Sequence, residues 1–260
     1  MKLVDIGINI NAQFKDDLAD VLDNAKKNHV EEIILTTVDA KSFTDNIRYC
    51  SENYAVPLYT TWGLHPHNAK HLNDFKNKTK ALMDQKPECV KAIGEFGLDF
   101  FRMISSKDEQ EKAMNFFMNY AKETSFPLFL HEREAFSAFH SILKEHSLAN
   151  KGVVHCFTGN KHEVRAYLDL DMYIGITGWI CDDRRNSDLL DAIHYIPLEK
   201  MMIETDSPYL KPRTVKSKSI RNEPAYLIHI LKKVAEIKKM SFEELSKILY
   251  NNSMEFFNIK

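Results

Sequence analysis

Short runs of apolar residues alternate along the chain with longer stretches whose apolar positions recur every three to four residues. The first pattern indicates β-strands and the second indicates amphipathic helices. Eight runs are predicted to be strands, at 3–9, 32–38, 57–64, 90–98, 127–132, 152–157, 172–178 and 200–205. Helices are predicted at 18–25, in a stretch that ends at residue 47, and at 70–85, 107–124, 134–147, 161–170, 187–194, 223–237 and 241–256.

Eight strands that alternate with helices over 260 residues are typical of a parallel (β/α)8 barrel of the TIM type. We expect one α/β domain over 1–260, with additional helices at its C-terminal end. A doubly wound open sheet is the alternative. The chain lacks both G-x-G-x-x-G after its first strand and G-x-x-x-x-G-K-[ST] at any position, so the usual nucleotide-binding support for an open sheet is missing.

The composition is that of an ordinary globular protein, with 44% apolar and 28% charged residues and a formal net charge of -2. This charge provides no domain-wide positive field for tight, non-specific DNA binding. None of the four cysteines belongs to a C-x-x-C pair, and no apolar run approaches the length of a membrane span. We therefore expect a cytoplasmic protein with reduced thiols, no membrane association and no obligate protein partner, and a monomer by default.

Residues that can ligate metal stand at the ends of several predicted strands. Glu95 lies inside the run KAIGEFGLDF (91–100), and His131, His155 and Asp206 end strands five, six and eight. A buried carboxylate is costly unless it is paired or ligates a metal, and the C-terminal ends of barrel strands meet on one face. A single histidine after a strand is more often structural. The four residues together favour a metal centre at the barrel mouth.

Five further residues on the same face each have two interpretations. His65 and His67, in GLHPH, either act on the substrate or belong to a turn. Asp99 either serves the site or makes a helix cap or loop ion pair. Trp179 either lines the mouth or packs at its rim, and Glu204 either supports a ligand or is a structural acid.

Basic residues follow strands seven and eight. CDDRR contains Arg184 and Arg185, and KPRTVKSKSIR contains Arg213 and Arg221. TIM barrels often bind phosphate with these two loops, and guanidinium groups match phosphate oxygens. We therefore predict contacts with substrate phosphates, and a solvated loop balanced by neighbouring aspartates is the alternative. The aromatic candidates for stacking against unpaired bases are few: Trp179, Phe100 and Phe101.

Eight stretches together resemble the TatD family of metal-dependent deoxyribonucleases, within the amidohydrolase-like barrels. They are VDIGINI, TTWGLHPH, KAIGEFGLDF, FLHERE, GVVHCFTG, YIGITGWICDDRR, MMIETDSPYL and SIRNEPAYL. They occur in order from residue 4 to residue 227, so the resemblance covers nearly the whole chain. Each stretch is short, but the set is specific.

The resemblance implies roles for particular residues at the barrel mouth. Glu95, His131 and His155 are implied to bind one divalent cation. Asp206 is implied to lie at the other metal position and to serve the attacking water. The two histidines of GLHPH are implied to contact the substrate or the transferring phosphate.

The chain departs from the D-S-H-x-H start of many family members and is closest to the TatD branch proper. Gly7 and Asn9 replace the two histidines. Gly7 offers no ligand and Asn9 only a neutral amide oxygen, so Asn9 is kept as a weak candidate ligand. We expect one firm cation site with a second, weak one. The family implies Mg²⁺, and the imidazole and carboxylate ligands also suit Mn²⁺ or Zn²⁺.

The expected function is hydrolysis of DNA phosphodiester bonds by a 3′–5′ exonuclease that prefers single strands, in DNA repair or degradation. Asp206 is the predicted general base, with Glu204 beside it, and His65 or His67 stabilises charge or protonates the leaving oxygen. Two alternatives stay open: a small-molecule amidohydrolase acting on an amide, ester or lactone, and a non-catalytic metal-binding interaction protein. The preference between DNA and RNA is also open.

Overall fold

Eight parallel strands form one sheet, whose spatial order follows the chain order in the residues that the computed structural model describes, 1–147 and 149–260. They are β1 (Leu3–Ile8), β2 (Val30–Leu35), β3 (Leu58–Trp62), β4 (Val90–Asp99), β5 (Leu128–Arg133), β6 (Gly152–Val154), β7 (Tyr173–Ile176) and β8 (Met201–Ile203). An isolated parallel bridge between Ile8 and Ser207 joins the first strand to the segment that follows the last. The predicted (β/α)8 barrel is confirmed.

Nine α-helices lie around and after the strands of the described chain. They are α1 (Leu18–Lys27), α2 (Ala40–Ser51), α3 (Leu72–Met83), α4 (Lys107–Lys122), α5 (Phe136–His146), α6 (Lys161–Asp169), α7 (Ser187–Ala192), α8 (Leu227–Lys238) and α9 (Phe242–Phe256). Ser106 begins α4 with a capping box: its hydroxyl accepts from the Glu109 N–H, and the Glu109 carboxylate accepts from the Ser106 N–H. None of the described helices is long and apolar enough to cross a lipid bilayer.

Each of the eight predicted strands differs from the observed one by a residue or more at one end or both, and the differences in the second, sixth and eighth strands concern the mouth of the barrel. The second begins and ends earlier than predicted, and just after its end both the backbone N–H and the hydroxyl of Thr36 donate to the carbonyl oxygen of Ile8. The sixth and eighth end before their reactive residues. Cys156 and Asp206 have positive φ angles of 48° and 52°, which end the extended backbone and turn the chain at the mouth of the barrel.

The apolar core has two parts, one inside the barrel and one between the strands and the helices. Inside the barrel, Phe129 and Met202 are fully buried, and Phe256 and Phe257 from the end of α9 belong to the same cluster. Outside it, Trp62 packs against aromatic residues of α3 and α4. Because apolar side chains fill the barrel interior, the reactive polar side chains lie at the C-terminal ends of the strands.

Candidate metal centre and active site

Glu95 is brought to the barrel mouth by β4, and the glycines on either side of it allow β4 to lie close to β5. Gly94 and Gly97 have positive φ angles of 151° and 150°. A Cβ atom on Gly97 would overlap the carbonyl oxygen of His131, and one on Gly94 would overlap that of Phe129. Any larger residue would force the two strands apart. The glycines therefore allow Glu95 to sit against the histidine of β5.

One carboxylate oxygen of Glu95 lies among three imidazoles from three other strand ends. Its Oε1 is 2.7 Å from Nδ1 of His131, 2.7 Å from Nε2 of His155 and 3.5 Å from Nε2 of His65. Ligand atoms of His65, Glu95 and His131 all lie within 4.8 Å of one another, close enough to share one metal ion. The structure thus brings the predicted ligands Glu95, His131 and His155 together and places His65 with them.

Charge within this cluster is set by burial and by mutual contacts. Burial disfavours the charged form of Glu95, but the positive charge of His155 and the hydrogen bonds from His131 and His155 outweigh it and hold the pKa of the carboxyl well below its usual range. Burial also disfavours a charged His155, yet the carboxylates of Glu95 and Glu204 raise its pKa well above the usual value. For His65 burial prevails and lowers the pKa to about 3. Its neutral ring is the form that ligates metal.

Asp206 lies at the same mouth, and its carboxylate is held by the side-chain amide of Asn9, the residue after β1. The Nδ2 of Asn9 donates to Oδ1 of Asp206 at 2.9 Å, and the Oδ1 of Asn9 accepts from the hydroxyl of Thr36 at 2.7 Å. Both polar ends of Asn9 are therefore used, and these contacts favour an orienting role for it; its role as a ligand stays a prediction. Burial, with the neighbouring carboxylates of Glu95 and Glu204, raises the pKa of Asp206 to about 8.

Glu204 is wedged between two glycines behind His155. Its Oε1 accepts from the backbone N–H of Cys156 at 2.5 Å, and its Oε2 is 3.4 Å from Nδ1 of His155. A Cβ atom on Gly7 would overlap Oε2, and one on Gly175 would lie 2.6 Å from Oε1. The side chain therefore fits only because Gly7 and Gly175 have none, and it holds the imidazole of His155 from behind.

Three polar atoms of this cluster have no hydrogen-bond partner within residues 1–147 and 149–260. They are Nε2 of His131, Nδ1 of His155 and Oε2 of Glu204, and all three are buried. Two of them, Nδ1 of His155 and Oε2 of Glu204, face each other at 3.4 Å, and Nε2 of His131 lies 3.6 Å from Oδ2 of Asp99, so all three are in long contacts within the cluster. Imidazole nitrogens and carboxylate oxygens are a donor set that suits a divalent cation, and the site fits such an ion.

Asp99 links His67 to the same cluster. Its Oδ2 lies 2.8 Å from Nε2 of His67 and 3.6 Å from Nε2 of His131, while its Oδ1 accepts the backbone N–H groups of Phe101 and Arg102. Burial acts against the charge, but these hydrogen bonds outweigh it and lower the pKa of Asp99. The carboxylate therefore orients a histidine that is available to the substrate.

Three of the predicted phosphate-binding arginines surround one buried carboxylate. Asp182 is 3% exposed and pairs with Arg184 at 2.7 Å, Arg185 at 3.0 Å and Arg213 at 3.9 Å. The guanidinium of Arg185 also lies 3.8 Å from the ring centroid of Trp179. Because one carboxylate faces three guanidinium groups, this cluster keeps an excess of positive charge.

Arg221 differs from the other three arginines, because protein acceptors already use its donors. It makes a two-pronged pair with Asp17 at 2.7 and 2.9 Å, and further bonds with Glu223 and the backbone oxygen of Gln13. These contacts tie the loop after β8 to α1. They favour a structural role, and the predicted phosphate contact of Arg221 has no support from them.

Two features of the mouth escaped the sequence reasoning. Asp5 accepts from the backbone and the hydroxyl of Thr205 at 2.9 and 2.6 Å, so it holds the segment that carries Asp206, and burial raises the pKa of Asp5 to about 7. Arg133, at the end of β5, lies over Phe101. An acid on an otherwise apolar first strand was a usable signal for Asp5. Nothing in the local sequence indicated the contact of Arg133.

Known proteins resemble this chain over almost its whole length. The sequence profile of the family described as TatD related DNase matches residues 4–258. A protein named 3′-5′ ssDNA/RNA exonuclease TatD from Pectobacterium carotovorum subsp. carotovorum is 38% identical over 261 residues, which cover 99% of this chain and 100% of the relative.

Solved structures agree with the sequence comparison. The YJJV TatD homologue of Escherichia coli K12 has a TM-score of 0.90 and 27% identity, covering 99% of this chain and 98% of that one. A TatD family hydrolase from Entamoeba histolytica has a TM-score of 0.89 and 28% identity, with the same coverage. The similarity thus includes every strand that contributes to the mouth.

Proposed function

Because the chain belongs to the family of TatD-related DNases, we propose that it is a metal-dependent nuclease that removes nucleotides from the 3′ end of single-stranded DNA or RNA. The observation that carries this proposal is the cluster of three imidazoles around the Glu95 carboxylate, with Asp206 at the same mouth. The polarity of cleavage and the single-stranded substrates follow the names of the relatives.

Glu95, His131 and His155 would hold a divalent cation, and His65 lies close enough to join them. Such a cation supplies Lewis acidity, which stabilises charge on a phosphate oxygen and makes water more acidic. We assign Mg²⁺ as the resident ion from the family, with Mn²⁺ and Zn²⁺ as alternatives that imidazole ligands suit better. Metal analysis of the purified protein, followed by activity titrations with each ion, decides among them.

Asp206 accepts the proton of the attacking water in this proposal. Asn9 keeps its carboxylate oriented through a 2.9 Å hydrogen bond. His67, oriented by Asp99 at 2.8 Å, protonates the leaving oxygen or stabilises charge on it. Glu204 holds His155 from behind and acts as a positioning residue.

The positive cluster beside the mouth explains why a phosphodiester is favoured over a neutral amide or lactone. Arg184, Arg185 and Arg213 have side chains that are 66%, 46% and 56% exposed. Guanidinium groups with free donors bind the phosphates on either side of the scissile bond. Efficient ester or amide turnover without nucleic-acid cleavage would overturn this assignment.

The test uses single-stranded oligonucleotides labelled at the 3′ or at the 5′ end, and a duplex of the same sequence, with Mg²⁺ or Mn²⁺ or with EDTA. We compare the native protein with Glu95→Ala, with Asp206→Asn, and with Glu243→Ala, an exposed acid on α9 that serves as the control. The expected result is release of 3′-labelled mononucleotide that EDTA stops. Glu95→Ala abolishes it, Asp206→Asn lowers it by roughly 10²- to 10⁴-fold, and Glu243→Ala leaves it unchanged.

Equal activity of native and Glu95→Ala protein assigns the cleavage to a contaminant and overturns the proposal. Label that leaves the 5′ end first, or internal fragments that precede mononucleotides, would keep the nuclease but reject the 3′–5′ direction.

A further inference from the structure

The loop after β4 presents apolar side chains to solvent directly beside the cluster of imidazoles around Glu95. Its residues 101–104 are all exposed, and three of them are large and apolar: Phe101 is 51%, Met103 42% and Ile104 50% exposed. These three are among the eight exposed large hydrophobic residues of the described chain. Such a concentration at a functional mouth indicates a surface that binds something apolar.

Hydrogen bonds hold both ends of this loop. Asp99 accepts the N–H groups of Phe101 and Arg102 at 3.0 and 2.8 Å. Ser105, buried, donates its hydroxyl to the carbonyl of His67 at 3.0 Å, and Gln110 donates to the Ser105 carbonyl at 2.9 Å. The loop is therefore fixed to Asp99 and His67, the two residues that lie next to the imidazoles around Glu95.

Cations lie over the aromatic rings at the start of the loop. The guanidinium carbon of Arg133 is 3.9 Å from the ring centroid of Phe101, and Nζ of Lys107 is 4.4 Å from that of Phe100. Arg133 makes no ion pair or side-chain hydrogen bond with any residue of the described ranges. Its donors are free for a phosphate, while Phe101 keeps half its surface in solvent.

On the basis of the proposed nuclease function, we propose that Phe101 and Arg133 form a nucleobase subsite. Phe101 stacks against an unpaired base next to the scissile phosphate, and Arg133 binds the phosphate of that nucleotide. Proteins that bind single strands combine aromatic platforms with cationic groups in this way. A base within a duplex is already paired and stacked, so this subsite selects unpaired 3′ ends. Met103 and Ile104 extend the apolar surface beside it.

The test measures how strongly cleavage depends on a base near the 3′ end. Matched oligonucleotides carry either a normal nucleotide or an abasic residue at the terminal or the penultimate position. The proteins are the native enzyme, Phe101→Leu, Phe101→Trp and Phe242→Leu. Phe242 is the control because it is 39% exposed and has Lys232 over its ring at 6.0 Å, but begins α9, away from the mouth.

Stacking of one base on an aromatic side chain corresponds to a roughly 5- to 150-fold effect on affinity. We expect the native kcat/KM to favour the base-bearing oligonucleotide by about 10-fold or more, and Phe101→Leu to lose most of this preference through KM. Phe101→Trp keeps the preference because it keeps a ring, and Phe242→Leu behaves as the native enzyme. Thermal unfolding of each variant verifies that it is folded.

The subsite is overturned if the native enzyme shows no preference for the base, or if Phe101→Leu keeps the native preference. It is also overturned if Phe101→Trp loses the preference as Phe101→Leu does, because the effect is then not one of stacking. If the loop instead docks a protein, the rate of cleavage will not depend on the base, and that result counts against the subsite. Failure of the nuclease function is a different result: no oligonucleotide is cleaved in a manner that depends on Glu95.

Discussion

Replacing Gly7 with alanine should damage the metal centre without touching any ligand. Gly7 lies in β1, and its φ is outside the left-handed range, so the alanine backbone is unstrained. The new methyl group would overlap Oε2 of Glu204. It must displace that carboxylate, because the other neighbour within reach, Phe129, is fully buried and fixed in the barrel interior.

The contacts that Glu204 loses when it is displaced set the size of the effect. The carboxylate loses the 2.5 Å hydrogen bond from the N–H of Cys156, a bond to a charged group that contributes about 1.5–3 kcal/mol. It also moves away from Nδ1 of His155, which lies 3.4 Å from Oε2 in the native protein. Losing a group that orients a metal-binding histidine lowers metal affinity by roughly 10- to 100-fold. We expect an effect of this size on Mn²⁺ affinity and on nuclease turnover.

Calorimetric titration with Mn²⁺ measures the affinity, and thermal unfolding in EDTA measures the stability of the metal-free fold. Gly152→Ala is the matched control. Gly152 begins β6, and a methyl group there would crowd the flexible end of the Met172 side chain. It should lower stability only. The double variant Gly7→Ala/Glu204→Asp shortens the displaced side chain and should recover part of the affinity. If Gly7→Ala binds Mn²⁺ and cleaves as the native protein does, Glu204 does not hold His155 in the way described.

Three further predictions concern the same site. Asn9→Ala removes the amide that holds Asp206, and we expect kcat to fall roughly 10- to 100-fold with the Mn²⁺ titration showing the same trend; an unchanged kcat would remove the orienting role. Saturating Mn²⁺, at about 100 times its Kd, should stabilise the native protein by about 2.7 kcal/mol, seen as a rise in the unfolding midpoint that EDTA and Glu95→Ala both cancel; a rise that survives in Glu95→Ala would place the ion elsewhere. Mn²⁺ affinity should increase with pH through neutrality, because the pKa of the ligand His155 is raised well above its usual value and that of the neighbouring Asp206 to about 8, so that both groups lose protons as the ion binds; Asp206→Asn should make this dependence less steep, and an equally steep curve in that variant would assign it to His155 alone.

The barrel was predictable because each of its strands carries its own local signal. Apolar runs separated by amphipathic stretches indicate the strand and helix alternation without any knowledge of which strands touch. The bounds at the mouth were less predictable. The stretches after β6 and β8 continue with residues that fit a strand, and only the positive φ angles of Cys156 and Asp206 end it. Those angles are imposed by contacts across the barrel.

Contacts between distant parts of the chain account for what the sequence did not reveal at the site. The fit of Glu204 against Gly7 joins the first strand to the segment after the last, and closure of the barrel alone brings them together. The pairing of Arg221 with Asp17 is of the same kind, so in the sequence Arg221 was indistinguishable from the three more exposed arginines that share Asp182. Glu95 was predictable, because a carboxylate between two glycines inside an apolar run is unusual in itself.

The mouth concentrates more carboxylate than its own cations can neutralise. Glu95 and Glu204 are buried and Asp206 is half-buried beside them, and the imidazole of His155 is the group that most lowers the pKa of Asp206. Burial prevails, so Asp206 is mainly protonated at neutral pH and cannot accept a proton from water in that state. Positive charge placed among these groups lowers the pKa of a nearby carboxyl. In the proposed mechanism Asp206 therefore acts as a base only in the loaded site, which ties its proton-accepting role to the occupancy of the cluster around Glu95.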